Sequence, residues 1–301
     1  MFKLLSKEGN IFSIPVYIIF LLAVVFLLNV LNFTLFDTIS ASFAFLGVAL
    51  GYFVLDQIDL THKKHLPYFL YTVLILSIYD QSTDIGIAIA LFINSISLFF
   101  LTSTKEYFRN GAYVLVGALA VVEFLFLPTL WPLLVFFIAH IIATSQNTIL
   151  NLFRFFLGAA LITLSYFGVM YFLNFNSFDP AYLPIDLGPL ETEFYPLYLL
   201  GPVFLMLIYA VVDHFSHYNE KSPSSKYKYT FLLMFLMSLA VTIVLYMGHN
   251  FEYLLLSALP ISIILSRMLS FLPKYWMQEL SLWIIIGSLV LFKIGNYYQL
   301  F

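Results

Sequence analysis

The stretch Leu127-Pro128-Thr129-Leu130-Trp131-Pro132 decides how this chain is threaded. It interrupts the 44 residues between Arg109 and Arg154, which carry a single charge, Glu123. One helix does not use so many residues, because about 20 suffice to cross a bilayer core roughly 30 Å thick. Each proline removes a backbone donor and disfavours helical geometry in the residue before it. The polar patch Thr144-Ser145-Gln146-Asn147-Thr148 then closes the second piece. The region reads as two short helices, about 111–127 and 131–143, turning back at one membrane face. The alternative is a single kinked helix with an interfacial tail.

Outward from this hairpin the chain is a succession of apolar runs. Ile11–Phe33 is 23 residues without a charge and follows Lys3 and Lys7. It is too long for the apolar region of a signal peptide and reads as a retained first helix with a cytoplasmic N-terminus. Further spans are Thr38–Leu55, Leu66–Tyr79, Ile85–Thr104, Phe155–Phe175, Pro196–Val212, Tyr229–Gly248, Tyr253–Ser266 and Leu280–Phe292. With the hairpin these make an all-α polytopic transmembrane helical bundle of about 11 membrane helices in one integral membrane domain, 1–301. Eleven crossings place twelve of the thirteen Lys and Arg residues on the cytoplasmic side, with Lys293 the exception. A single crossing by 110–153 would send the downstream cations outside, so the charges favour the hairpin. This topology predicts a multi-pass membrane protein with a cytoplasmic N-terminus and a C-terminus on the outer side.

Composition agrees and excludes much else. The chain is 62% apolar, 19% aromatic and only 10% charged, with mean hydropathy +0.98. Thirteen basic and 16 acidic residues give a net charge of −3, scattered rather than clustered, so no nucleic-acid surface is expected. The absence of cysteine removes thiolate chemistry and Cys-type metal sites. No nucleotide-binding, zincin or serine-hydrolase motif occurs, and no cofactor is implied.

The residues that could carry chemistry lie in the polar breaks. Asp80 and Asp84 bracket an outer turn, Asp80-Gln81-Ser82-Thr83-Asp84, where two carboxylates could hold a cation or act as acid and base. Capping of the next helix is the plainer role of Asp84. Asp37 sits in the first outer turn, and His249 and Glu252 lie three apart in another, too few groups for a metal site. Glu123 is an intramembrane carboxyl and His140 an intramembrane imidazole, the pair a proton-coupled transporter would use. The acidic outer face also carries a loop, Asn176 to Tyr195, long enough to act as a lid. On the inner face, His62-Lys63-Lys64-His65 and Asp213-His214 with His217 could meet anionic lipid heads or a partner, besides setting topology.

The run from Arg109 through Gly111 and Gly117 to Leu127-Pro128, with Leu152-Phe153-Arg154-Phe155-Phe156-Leu157-Gly158, resembles a segment of the membrane glycosyltransferases of the C superfamily. That resemblance implies sugar transfer from a lipid-linked envelope substrate on the outer side. Asp37 would be the base, Asp80 or Asp84 would hold a divalent cation, and His249, with Lys293, would contact phosphate. Such enzymes carry an acidic motif on a long first outer loop, whereas this chain offers only Asn32 to Asp37 there. In length and span pattern the whole chain resembles an uncharacterised family of bacterial integral membrane proteins. Two other readings stand beside the enzyme: a non-enzymatic subunit or scaffold of an envelope or secretion complex, meeting lipids and a membrane protein partner, and the transporter.

Overall fold

The computed structural model describes residues 1–7, 13–29, 35–60, 64–79, 83–176, 179, 182–184 and 197–298. Its helices are α1 (Phe2–Leu5), α2 (Ser13–Asn29), α3 (Leu35–Ile58), α4 (His65–Ile78), α5 (Ile85–Leu101) and α6 (Glu106–Phe126). After a 3-10 turn at Pro128–Leu130 come α7 (Trp131–Thr144), α8 (Thr148–Phe172), α9 (Gly201–Ser216), α10 (Pro223–Tyr246), α11 (Tyr253–Phe271) and α12 (Tyr275–Tyr298). Several outrun the apolar stretches that announced them. The sequence reading stopped each span at its first charge, while long cationic side chains let a helix continue with their heads turned to the interface.

Seven of these helices are long and apolar enough to cross a membrane: α3, α6, α8, α9 with the turn before it, α10, α11 and α12. Four apolar segments are shorter: Ser13–Ala23, His65–Ile78, Ile85–Leu101 and Pro128–Thr144. The 14-residue α4 rises only about 21 Å, short of a hydrocarbon core. The expected eleven crossings are thus matched in length by seven helices. α11 is central, with 78% of its apolar window buried, and α8 is peripheral, with 11%.

Hydrogen bonds between helix ends fix the alternation of direction. At one end Gln57 of α3 donates to Phe99 of α5 at 2.9 Å, Tyr227 of α10 to Leu101 of α5 at 2.8 Å, and Arg154 of α8 to Asn110 of α6 at 3.4 Å. At the other, Ser40 of α3 donates to the Thr83 carbonyl, Thr129 meets Tyr253 of α11 at 3.0 Å, and Trp131 of α7 donates to Tyr246 of α10 at 2.8 Å. The chain therefore reverses between α6 and α7, as the two prolines imply. Every described Lys and Arg but one lies toward the first end, hereafter the basic end, while Lys293 lies toward the opposite, acidic end.

The small residues of the stretch 109–158 have a packing role. A Cβ at Gly117 would fall 2.0 Å from the Phe155 carbonyl oxygen, and one at Gly158 would fall 1.9 Å from that of Val114. These two glycines let α6 and α8 meet backbone to backbone, the close approach that small residues permit in membranes.

Candidate functional site

At the acidic end the carboxylates are engaged in holding the fold. Asp84 caps α5, its Oδ1 accepting from the backbone N–H of Gly86 at 2.7 Å and of Ile87 at 3.3 Å. Glu252 accepts from the Asp84 backbone N–H at 2.9 Å and so fastens the turn before α11 to the start of α5. Asp37 occupies the first turn of α3 at the same end, and His249 is exposed beside Gly248. Asp80 and most of the loop Asn176–Tyr195 lie outside the described residues, as do His62 and Lys63. Among the described residues no three His, Asp or Glu side chains converge as metal ligands.

Glu123 is buried to 2% exposure on α6, against Asn94 of α5, itself 3% exposed. Side chains lean toward the N-terminus of their own helix, so on two antiparallel helices Glu123 and Asn94 lean toward each other. Glu123 Oε1 and both amide atoms of Asn94 have no hydrogen-bond partner among the described residues. His140 is not part of this pair. Its ring turns instead to Tyr227 and Phe231 of α10 and to Thr144 of its own helix.

The basic end is organised by Lys226-Tyr227-Lys228-Tyr229, the second turn of α10. Consecutive helical residues point about 100° apart, so these four address four different neighbours. Lys226 lies 4.8 Å over the Tyr218 ring. Tyr227 donates to Leu101 O, lies 3.3 Å from His140 Nε2, and carries the Arg109 guanidinium 4.9 Å over its ring. Lys228 donates to the last carbonyls of α3, Gln57 at 3.2 Å and Ile58 at 2.9 Å. Tyr229 carries Arg267 4.6 Å over its ring and packs on His214, ring to ring, at 4.3 Å. Just upstream, Lys221 donates to the His214 carbonyl at 3.1 Å. The open C-terminal carbonyls of α3, α5 and α9 thus receive donors from one short segment, and two of those donors are cations where the helix dipole favours them.

Two cavities flank this segment. The first, about 500 Å³, lies between α7 and α10, walled by Phe136, Ala139, Phe231 and Met234, with His140, Thr144, Tyr227 and Lys226 at one end. His140 also sits edge to face with Phe231 at 4.8 Å and reaches Thr144 Oγ1 at 3.4 Å. The second, about 510 Å³, opens on the other face of α10 and includes Arg267, Lys228, Lys221 and Asp213. The sequence singles out His140, and the structure adds Asn94, Tyr227 and Arg267 as polar groups beside these elements. A polar Asn94 within an apolar run and the alternation Lys-Tyr-Lys-Tyr were the available signals; Arg267 was hidden by ending the span at Ser266.

These features define an all-helical protein built from apolar helices of membrane-spanning length, with its polar constellations at helix ends. Residues 1–298 match the model described as a family of unknown function, DUF6427, and the chain belongs to that family. No curated protein and no solved structure matches the chain. The membership carries no activity and adds no glycosyltransferase likeness.

Proposed function

We propose that this chain is a bacterial inner-membrane protein that holds a lipid-like amphiphile in the groove between α7 and α10, binding a lipid-linked envelope substrate without breaking its bonds. The shape of the groove carries this reading. It is an aromatic and aliphatic trough of about 500 Å³ whose imidazole, ammonium and four hydroxyls (Thr144, Tyr218, Tyr227 and Thr230) lie toward the basic end, with Phe136, Phe231 and Met234 beyond them, matching an apolar chain with a polar head. The positive-inside rule puts the basic end and the N-terminus in the cytoplasm and the C-terminus in the periplasm. Sugar transfer from Asp37 and a Glu123–His140 proton relay have less support. Asp84 and Glu252 already hold backbone donors, and Glu123 faces Asn94 of α5 while His140 faces Tyr227 and Phe231 of α10.

The test is to replace Ala143, an exposed groove residue, by Trp and measure the amphiphile that accompanies the purified protein by lipid extraction and mass spectrometry. Ala143→Trp fills the trough and should abolish retention, and His140→Ala should reduce it. Unchanged content in Ala143→Trp rejects the reading. A companion subunit is the second reading, favoured by α8, whose residues Phe153, Leu164 and Phe172 stand 62%, 69% and 84% exposed. Purification in mild detergent would then yield a stoichiometric partner, and a strictly lone chain would reject it.

A further inference from the structure

We propose that the second cavity, beneath Arg267, binds a zwitterionic phospholipid headgroup: a phosphate joined to a primary ammonium. This site does not rest on the α7–α10 groove, because Pro223, Tyr227 and Thr230 face the groove while Ser224, Ser225 and Lys228 face the cavity.

Arg267 is 5% exposed and stacks on Tyr229 and Phe271, yet its Nη1 has no hydrogen-bond partner among the described residues. The two ion pairs among the described residues, Met1 with Glu279 and His217 with Asp213, leave it out. A buried guanidinium with an open donor is costly until an anion completes it, and its planar fork suits phosphate oxygens. It lies one turn inside the end of α11, the depth of lipid phosphates if that end meets the interface.

Lys228 and Lys221 bring two more positive charges, each held by carbonyl oxygens. Both line the cavity with Arg267, and burial first, then the charge of Arg267, hold the Lys221 ammonium below its ordinary pKa. Three carboxylates, Asp59, Asp213 and Glu220, share the same lining. A purely anionic head would meet those carboxylates with repulsion. A head that also carries an ammonium satisfies both signs, and only an ammonium with N–H groups donates hydrogen bonds to them.

Soluble phosphoethanolamine shares this chemistry, so the experiment separates the sources. The full chain in mild detergent is titrated with phosphatidylethanolamine, phosphatidylglycerol and phosphatidylcholine of matched chains, and bound lipid is read by native mass spectrometry. Phosphatidylethanolamine should bind about tenfold better than either of the others. Arg267→Gln should lower its binding about tenfold, with partial rescue by Arg267→Lys. Asp213→Asn should erase the preference over phosphatidylglycerol while retaining lipid, and it carries the test if Arg267→Gln is not monodisperse. Equal binding of the three lipids by the parent protein overturns the proposal, as does indifference to both substitutions. Displacement of the lipid by millimolar inorganic phosphate or phosphoethanolamine overturns it in favour of a soluble ligand.

Discussion

The two ends of the bundle use their charges in opposite ways. At the acidic end Asp84 and Glu252 accept hydrogen bonds from backbone N–H groups at the start of α5, so these carboxylates serve a helix N-terminus. At the basic end Lys228 and Lys221 serve helix C-termini, but Arg109 Nε and Arg267 Nη1 are buried and without a hydrogen-bond partner among the described residues. A charge that closes the fold and a charge with capacity to spare look alike in a sequence. What separates them is whether the surrounding backbone consumes their hydrogen-bonding capacity: among the described residues the cationic surplus lies at the basic end, and the one carboxylate oxygen left over is Glu123 Oε1 on α6.

The comparison can be broken most decisively by testing whether the ends lie on opposite sides of a membrane. Because the chain lacks cysteine, single substitutions report sidedness without background. Ser6→Cys and Ser222→Cys should react with an impermeant maleimide only after the membrane is opened, and Asn250→Cys in intact cells. Labelling of Ser222→Cys and Asn250→Cys from one side would dismantle the two-ended description. Next in size is the α6–α8 seam, which runs between the ends. Gly117→Leu forces a side chain into the Phe155 carbonyl and should cost about 3 kcal/mol or more, seen as lost monodispersity or a lower melting temperature.

A smaller effect is expected from Asp84→Ala. Loss of the α5 cap should cost about 1 kcal/mol in a thermal melt without altering lipid retention. A large loss of retention would move function back to the acidic end. Smallest is Glu252→Gln, which leaves an acceptor for the Asp84 N–H but removes its charge, and should cost less than about 1 kcal/mol in the same melt.

The helices and the reversal at Pro128 were legible because apolar length and missing backbone donors act locally. The grouping of the charges by end was legible too, since topology sorts them. What could not be read was which polar atoms remain unsatisfied, because that depends on partners far along the chain: Lys228 bonds to residues 170 and 171 positions away, and Tyr227 to one 126 away. Glu123 and His140 were visible as polar residues in apolar runs, but that one faces α5 and the other α10 emerges only once the helices are packed. Arg267 was read as a flanking charge, whereas α11 continues through it to Phe271 and carries it into the interior.

Lys293, the cation that defies the side-sorting of all the others, donates to the carbonyl of Tyr79, the residue that ends α4. α4 has only 14 residues and is largely buried, and the carbonyl of Tyr79 at its end is answered by a neighbouring side chain in place of water. Rules that orient a protein by counting cations assume that each one belongs to the aqueous phase or to lipid heads. Lys293 belongs to a helix terminus. A lone cation on the wrong side of such a count is therefore a pointer to a helix that ends early, and can be used in reverse to locate one.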